Sequence, residues 1–314
     1  MPKGFGAPYW HLHKGLYSLQ QARRQWYLHL HDAYMSLGYT QCKSDWSIYV
    51  RKSEIALSIS ATSVNNLLIA SNSKTKSNLA AMQINKKFAV TDRGDTKWLL
   101  GCRIQQWRTH KLLMIDQEQY MTQILSDFSM DNCNAVKTPC PMFHLMMEMC
   151  PKTDDERQEV AKLPYCALIG KCMYPLNCMR PDISFAICKL AKFMLNYGPK
   201  HFEAVKHLLQ YLQEMHGRGI IYRNLPNPYP IFTSFTDSDW AMSEGHKSNS
   251  GFIMQCANGP LTWSSKQQVV VVLSSCEVEY IACSYCAHQV LWLQTLFHKL
   301  GFPQTKPTPL YCDN

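Results

Sequence analysis

The sequence lacks any apolar stretch that approaches the roughly 20 residues of a membrane-spanning helix. Its N-terminal residues do not form the charged, apolar and small-residue succession of a secretory signal. Internal repeats and low-complexity tracts are absent as well. These absences exclude a membrane partner, and they predict a soluble intracellular protein, either cytoplasmic or nuclear.

An ordered cysteine pattern is also missing, although the chain has 14 cysteines. The single C-x-x-C spacing, Cys283 to Cys286, lies inside a helical pattern and has no second pair to complete a zinc site. Others, such as Cys166, Cys172 and Cys188, occupy apolar helical patterns. This arrangement argues against a secreted disulfide framework and predicts free thiols.

Acidic residues are outnumbered by basic ones, 23 against 32, and the net charge is +9. An excess of Lys and Arg favours a polyanionic partner, and nucleic acid is the foremost candidate. A basic protein without such a partner is equally compatible with the charge alone. The hydrophobic content of 46% is enough for packed cores, and 314 residues suit two domains or one large one.

Periodic patterns predict helices and hairpins along the first two thirds of the chain. The expected helices cover residues 19–37, 74–90, 118–130, 165–177, 182–197 and 201–216. Hairpins are expected at 56–71, with a turn at Val64-Asn65-Asn66, and at 98–117, with a polar turn near Arg108–Lys111. A proline-rich, charged linker covers 138–160, and "NLPNPYP" at 224–230 marks a domain boundary.

The last 85 residues predict three strands, a helix and a final strand. "IFTSFTD" begins the series, and "GFIMQCA" and "PLTWSSK" form a hairpin whose turn pair is Asn258-Gly259. Ser274 and Glu277 fit a capping box before a helix that continues to Leu300. "TPLYCDN" is then a strand that can lie parallel to the first.

This order of elements can bring three carboxylates together: Asp237, Glu279 and Asp313. Such a cluster implies a hard divalent ion, Mg²⁺ or Mn²⁺, because the charges otherwise repel each other. Two such ions could support phosphodiester hydrolysis. The alternative is that these acids only cap helices and strands. Asp239 and Glu277 are nearby competitors, which we interpret as a solvated carboxylate and a capping partner.

Several segments resemble the ribonuclease H domain of copia-type retrotransposon polyproteins. The matching stretches are "SFTDSDWA", "HKSNSGF", "LTWSSKQQ", "LSSCEVEYIA" and "LYCDN". The resemblance implies ribonuclease metal-binding and catalytic roles for Asp237, Glu279 and Asp313, with Mg²⁺ or Mn²⁺ as the cofactor. The family's fourth ligand would follow Asn314.

Upstream segments resemble the reverse transcriptase palm and thumb of the same elements. They include "LHKGLYSLQQARRQW", "KFAVTDRGDTKWLLGCRI", "DFSMDNCNAVKTP", "YCALIGKCMY", "MRPDISFAICKLAKFM" and "AVKHLLQYL". Together these matches are in family order and cover nearly the whole chain. The implied fold is α+β, with an N-terminally truncated palm at 1–115, a thumb-like helical region at 116–225, and an incomplete ribonuclease H-like mixed α/β domain at 229–314.

The family's polymerase turn reads Tyr-Val-Asp-Asp, and its aspartates hold two magnesium ions. The matching positions here are Ser63, Val64, Asn65 and Asn66. An Asn pair is also simply a good turn, because Asn tolerates the left-handed conformation. The family's first palm aspartate would precede residue 1. We therefore expect no polymerisation and weak or absent ribonuclease activity.

The chain could still bind nucleic acid in the absence of catalysis. Four basic residues are candidates for contact with a phosphate backbone: Lys86, Lys87, Arg103 and Arg108. Trp98 and Trp107 are expected in a core rather than stacked on bases. The favoured function is a degenerate reverse transcriptase/ribonuclease H chain. Its alternatives are a residual ribonuclease H and a nucleic-acid-binding module. The expected partners are an RNA–DNA hybrid, other nucleic acid or a full-length retroelement polymerase.

Overall fold

The computed structural model describes residues 15–16, 19–54, 56–64, 66–88, 90–141, 143–224, 231–240 and 245–313. Within these residues the fold is mixed α/β, with eight α-helices and three four-stranded sheets. Two compact units are present. The first contains the described residues up to Gly94 together with Leu296–Gly301, and the second contains Asp95–Thr295 and the residues from Phe302 onward.

The first unit is an antiparallel sheet in the order β1-β2-β3-β4, accompanied by two helices. Its elements are α1 (Gln20–Ser36), β1 (Thr40–Gln41), β2 (Ile48–Lys52), β3 (Leu57–Ser63), β4 (Asn66–Ser71) and α2 (Lys74–Lys87). Gly38, with φ of 78°, ends α1 because the left-handed backbone stops the helix. Ser73 caps α2 by accepting a hydrogen bond from the Lys76 amide.

Tyrosines fill the core of this unit and pair with buried serines of β3. The rings of Tyr34 and Tyr49 stack with centroids 4.3 Å apart. The hydroxyl of Tyr34 lies 2.5 Å from Ser60 Oγ, and the hydroxyl of Tyr39 lies 3.0 Å from Ser58 Oγ. A serine can face this core because each buried hydroxyl has a partner.

The second sheet has the order β5-β6-β7-β8, and a helical segment lies between its last two strands in the sequence. Its strands are β5 (Trp98–Leu99), β6 (Cys102–Trp107), β7 (Leu112–Asp116) and β8 (Ile220–Arg223). The intervening helices are α3 (Glu118–Asp127), α4 (Asp154–Val160), α5 (Tyr165–Cys178), α6 (Ser184–Ala191) and α7 (Pro199–Glu214). Because β7 pairs directly with β8, the chain leaves and re-enters the sheet at adjacent strands.

The helices pack around one apolar core. Among its fully buried members are Leu168, Ile169, Ile183, Ile187, Leu208 and Leu209. The Arg180 guanidinium, also buried, pairs with Asp182 at 2.7 Å, and the Tyr211 hydroxyl donates to the same carboxylate at 2.7 Å. The buried guanidinium charge is therefore compensated by the Asp182 carboxylate at the edge of the core.

The third sheet has the order β11-β10-β9-β12. Its elements are β9 (Phe232–Ser238), β10 (Asn249–Cys256), β11 (Gly259–Gln267), α8 (Ser275–Leu300) and β12 (Leu310–Tyr311). The predicted parallel pairing of first and last strands is present, since Leu310 pairs with Ser234 and Tyr311 with Phe235. The buried face of α8 has helical spacing: Val278, Ala282, Cys286, Val290 and Leu293.

Three local predictions differ from the structure. The expected linker at 138–160 contains a 3₁₀ turn, Met147–Met149, and ends in α4. The β10–β11 turn is formed by Ala257 and Asn258, with φ of 52° and 62°, so the expected pair Asn258-Gly259 is displaced by one residue. Gly259 instead lies in β11, where an added Cβ would come within 2.8 Å of the Ile221 carbonyl oxygen. The helix expected at 182–197 is a short 3₁₀ turn, Pro181–Ile183, followed by α6, which ends at Ala191. The domain boundary predicted at 224–230 lies outside the described residues except for Asn224.

Candidate functional site

The tip of the β3–β4 hairpin carries the segment matched to the polymerase turn. Ser63 pairs with Asn66 in the antiparallel register, and Val64 adopts a φ of 50° between them. The indole N–H of Trp26 donates to the Val64 carbonyl oxygen at 3.0 Å. Asn65 lies outside the described residues. Strand pairing and the Trp26 hydrogen bond thus hold the tip in a turn.

The side chains around this hairpin tip are uncharged. No acidic residue occurs from Leu57 to Ser71, so the available donors are hydroxyl and amide groups such as those of Ser63 and Asn66. Magnesium sites in proteins depend on carboxylates, which compensate the charge of the ion. The tip therefore does not fit the pair of magnesium ions that the family resemblance implies.

A second candidate site lies where α8 begins beside the ends of β9 and β12. Glu279, in the second turn of α8, is only 5% exposed. Its Oε1 accepts a hydrogen bond from the Ser238 hydroxyl at 2.5 Å, and its Oε2 accepts one from the Cys312 thiol at 3.2 Å. Both carboxylate oxygens are thereby satisfied inside the protein, which lowers the penalty of burying the group.

Asp313 completes this group. One ligand atom each from Glu279, Cys312 and Asp313 lies within 4.8 Å of the others. Glu279 is buried, Cys312 is half-buried and Asp313 is exposed. Two of the three predicted carboxylates therefore converge, and a thiol accompanies them.

Asp237 is not part of this convergence. Successive side chains of a strand point to opposite faces, and the neighbouring Ser238 is the residue that contacts Glu279. Asp237 is exposed and shares its face with Phe235, whose ring stacks on Tyr311 at 5.3 Å. The three-carboxylate magnesium set expected from the sequence is not assembled in this arrangement, although two of its members are adjacent.

The two competing acids have structural roles. Asp239 accepts hydrogen bonds from the Asn249 backbone N–H at 2.5 Å and from its side-chain amide at 2.8 Å, so it joins β9 to β10 rather than remaining solvated. Glu277 is a capping partner, as expected: its backbone amide donates to Ser274 Oγ at 3.2 Å, and its carboxylate accepts from the Leu273 amide at 3.3 Å.

Of the four basic residues proposed to contact phosphate, two lie at the end of α2. Lys86 and Lys87 are exposed in its last turn, where they also favour the negative end of the helix dipole. The Lys87 ammonium contacts Ser36 Oγ at 2.5 Å. Both belong to the first unit, whereas the other two candidates belong to the second.

Arg103 is used inside the protein. Its Nε lies 3.0 Å from the buried carboxylate of Asp116, and its Nη2 lies 2.5 Å from Glu118. The hydrogen bond with Asp116 is the main reason that the pKa of Arg103 is raised. Two acids therefore compensate the single charge of Arg103 inside the protein, which leaves less of it for a phosphate. Arg108 is more open and contacts the exposed Asp95 at 3.3 Å.

The two tryptophans expected in the core are on the surface. Trp98 is 47% exposed and Trp107 is 41% exposed. Trp107 lies at the end of β6, immediately before Arg108. The expectation that both rings lie in a core is therefore wrong.

Sequence reasoning also missed Ser238 and Cys312, the two donors to Glu279. Cys312 was visible as the neighbour of Asp313 at the end of the last predicted strand. Ser238 was hidden by its neighbours, since it is one of several small polar residues beside two aspartates.

None of the described helices has both the length and the apolar content required to cross a bilayer. Residues 3–142 match the family described as reverse transcriptase (RNA-dependent DNA polymerase). No solved structure matches the chain. The fold and this match define a reverse transcriptase-related protein of mixed α/β architecture.

Curated relatives extend the similarity over nearly the whole chain. The Retrovirus-related Pol polyprotein from transposon TNT 1-94 of Nicotiana tabacum is 35% identical over 96% of this chain. That from transposon RE1 of Arabidopsis thaliana is 30% identical over 96% of this chain. A putative transposon Ty5-1 protein of Saccharomyces cerevisiae is 26% identical over 88% of this chain and 87% of its own length. The chain belongs to the Pol polyproteins of copia-type retrotransposons. It spans 23% of the TNT 1-94 polyprotein and 20% of the RE1 polyprotein.

Proposed function

We propose that this chain is a polymerase–ribonuclease H portion of a copia-type Pol polyprotein that binds nucleic acid without extending a primer. The observation that carries the proposal is the neutral tip of the β3–β4 hairpin, where Ser63 and Asn66 face each other and no carboxylate is present. Two magnesium ions carry four positive charges, and hydroxyl and amide oxygens offset none of them. Nucleotide addition therefore has no metal-binding centre at this turn.

The domain limits belong to the same proposal. Residues 1–115 correspond to the palm, 116–225 to the thumb-like region and 229–314 to the ribonuclease H-like domain. The strand order β11-β10-β9-β12 and the position of α8 before β12 support the last assignment. The basic net charge of +9 supports a nucleic-acid ligand, an RNA–DNA hybrid among others.

Primer extension tests the loss of polymerisation. The unmodified chain is incubated with an RNA template, an annealed DNA primer, the four deoxynucleotides and Mg²⁺, beside the double variant Asn65→Asp/Asn66→Asp. We expect no extension by the unmodified chain, together with hybrid binding that weakens as salt rises. Extension by the reverting variant alone would identify the lost carboxylates as the cause. Extension by the unmodified chain would refute the proposal.

A second candidate function is cleavage of the RNA strand in RNA–DNA hybrids, and the adjacency of Glu279 and Asp313 favours it. This activity requires the Asp237 side chain to join Glu279 and Asp313, because in the structure Ser238 is the β9 residue that contacts Glu279. The test measures cleavage of a labelled hybrid with Mg²⁺ or Mn²⁺, beside Glu279→Gln and Asp237→Asn. Cleavage that both substitutions abolish would establish this activity. Absence of cleavage in a folded sample that binds the hybrid would leave the first proposal alone.

A further inference from the structure

A notch in the second unit lies at one end of the β5–β8 sheet. It has a volume of about 380 Å³ and is lined by Gln106, Arg108, Lys111, Leu113, Tyr222 and Arg223, among others. We call these six residues the basic notch. The β6–β7 turn supplies one wall, the end of β8 supplies another, and Ala257 of the β10–β11 turn borders it.

Backbone hydrogen bonds hold the walls in place. The Asn224 amide donates to the Lys111 carbonyl oxygen at 3.0 Å, and the Arg223 amide donates to the Ala257 carbonyl oxygen at 2.8 Å. Lys111 has a φ of 52°, which turns the chain sharply at the rim. The notch is thus a preformed feature of the sheet rather than a gap between mobile side chains.

The floor of the basic notch is flat and largely apolar. Gln106, Leu113 and Tyr222 are neighbours on three successive strands and therefore share one face, whereas Arg223, the last residue of β8, belongs to the opposite face and borders the notch where the strand ends. The Tyr222 hydroxyl donates to the Pro260 carbonyl oxygen at 2.7 Å, and burial raises the pKa of Tyr222 to about 12. The phenol is therefore neutral and its hydroxyl is committed, which leaves the ring as a hydrophobic surface.

The rim carries three cations, and only one has an acidic partner. Arg108 contacts Asp95, whereas no carboxylate of the described residues forms a salt bridge with Lys111 or Arg223. The segment that follows, 225–230, contains no acidic residue in its sequence. Exposed cations without acidic partners, at the edge of an apolar surface, favour an anionic ligand that also carries a planar apolar group.

We propose that the basic notch binds one unpaired nucleotide unit, with its phosphate on Lys111 and Arg223 and its base against Leu113 and Tyr222. Base stacking on an aromatic floor beside cations is the mode by which proteins hold single strands without reading their sequence. The volume lies within the range of small-ligand pockets, roughly 300–1,000 Å³. The inference rests on the proposed function in so far as nucleic acid is the ligand of the chain.

The test compares two double variants that remove the same charge. Lys111→Asn/Arg223→Gln alters the notch, and Asn at 111 tolerates the left-handed backbone. Lys162→Gln/Lys306→Gln removes two exposed lysines elsewhere in the second unit. Binding of a labelled single-stranded oligonucleotide is measured by fluorescence anisotropy over a series of salt concentrations, and thermal unfolding checks that both variants are folded.

We expect the notch variant to bind about tenfold more weakly and to lose about 0.7 of a unit of the salt slope, the contribution of one phosphate contact on a single strand. The control variant should change less than twofold. Equal losses of affinity in both variants would overturn the proposal that the notch binds the nucleotide. If the unmodified chain binds no oligonucleotide, the proposed nucleic-acid function itself fails, which is a distinguishable result.

Two further measurements locate the ligand and its source. An oligonucleotide containing 4-thiouridine is photo-crosslinked to the unmodified chain, and we expect attachment at the peptide containing Leu113 or Tyr222. Crosslinks found only elsewhere would overturn the proposal. Competition by uridine monophosphate would identify a free nucleotide as a ligand of the same notch, whereas its failure to compete would assign the notch to a strand. Competition by inorganic phosphate at the same concentration as the nucleotide would refute the base contact.

Discussion

Ser238 and Glu279 are joined by a hydrogen bond of 2.5 Å between the serine hydroxyl and Oε1 of the buried carboxylate. The residue before the serine, Asp237, is exposed and is not part of the cluster of Glu279, Cys312 and Asp313. Substitution of Ser238 by Ala removes a donor from a buried charged group, and we expect a loss of about 1–3 kcal/mol in the free energy of unfolding. Urea unfolding measures it. Ser284→Ala, on the exposed face of α8, is the control, and an equal effect of the two would contradict the prediction.

The pair Arg180 and Asp182 predicts a pH-dependent stability. Burial raises the pKa of Asp182, but the Arg180 guanidinium outweighs it and leaves the pKa below its ordinary value. A lowered folded-state pKa stabilises the fold above the unfolded value, near 3.9, and the contribution disappears as the pH falls through the folded value.

Asp182→Asn should therefore destabilise the protein at pH 7 by about 2 kcal/mol, less than for a fully buried pair because Asp182 is partly exposed. The difference from the unmodified chain should shrink below about pH 4, as the Asp carboxylate becomes protonated. Unfolding curves from pH 7 to pH 3 measure it. Asp154→Asn, which breaks an exposed pair with Arg157, should have no measurable effect. A pH-independent difference at Asp182 would argue against the electrostatic origin.

The position of the β10–β11 turn can be tested at two adjacent residues. Gly259→Ala places a Cβ about 2.8 Å from the Ile221 carbonyl oxygen and from the Tyr222 ring, and overpacking of this kind costs about 1–3 kcal/mol. Asn258→Gly keeps the positive φ and should change stability by about 0.5 kcal/mol or less. Thermal unfolding of both variants measures the difference. The reverse order of effects would place the turn at Asn258-Gly259.

Substitution of Val64 is expected to increase the free energy of unfolding. A β-branched residue with φ of 50° is strained, and the left-handed conformation costs an L-residue about 1–2 kcal/mol. Val64→Gly removes that strain but adds freedom to the unfolded chain, so we expect a net gain of about 0.5–1 kcal/mol in the first unit. Hydrogen exchange of the β3 and β4 amides measures it. Val64→Ala retains a Cβ and should gain less; equal gains would exclude backbone strain as the cause.

Local patterns predicted elements whose signals lie within one segment. The hairpin at 98–117 has a polar turn between two apolar runs, and β6 and β7 flank that turn. The parallel contact of β12 with β9 also followed from the sequence, because the right-handed crossover restricts where a strand can return.

The faces of β9 could not be predicted in this way. Ser234 and Thr236 are buried, whereas Phe235 is exposed, which reverses the usual amphipathic alternation. A hydrophobicity pattern therefore does not show that Ser238, rather than Asp237, faces Glu279. The ion pairs of Arg103 were equally hidden, since Asp116 lies on the paired strand and its proximity depends on register.

The direct pairing of β7 with β8 has a consequence for the order of folding. Ile115 pairs with Ile220, although the whole helical segment lies between them in the chain. Closing a long flexible loop carries an entropy penalty, which falls when the intervening chain has already collapsed. Helices α3, α5, α6 and α7 share one apolar core and can condense locally, before any non-local strand pairing forms. We therefore expect β8 to join its sheet late, and the wall that it gives to the basic notch to form only after the helical core has assembled.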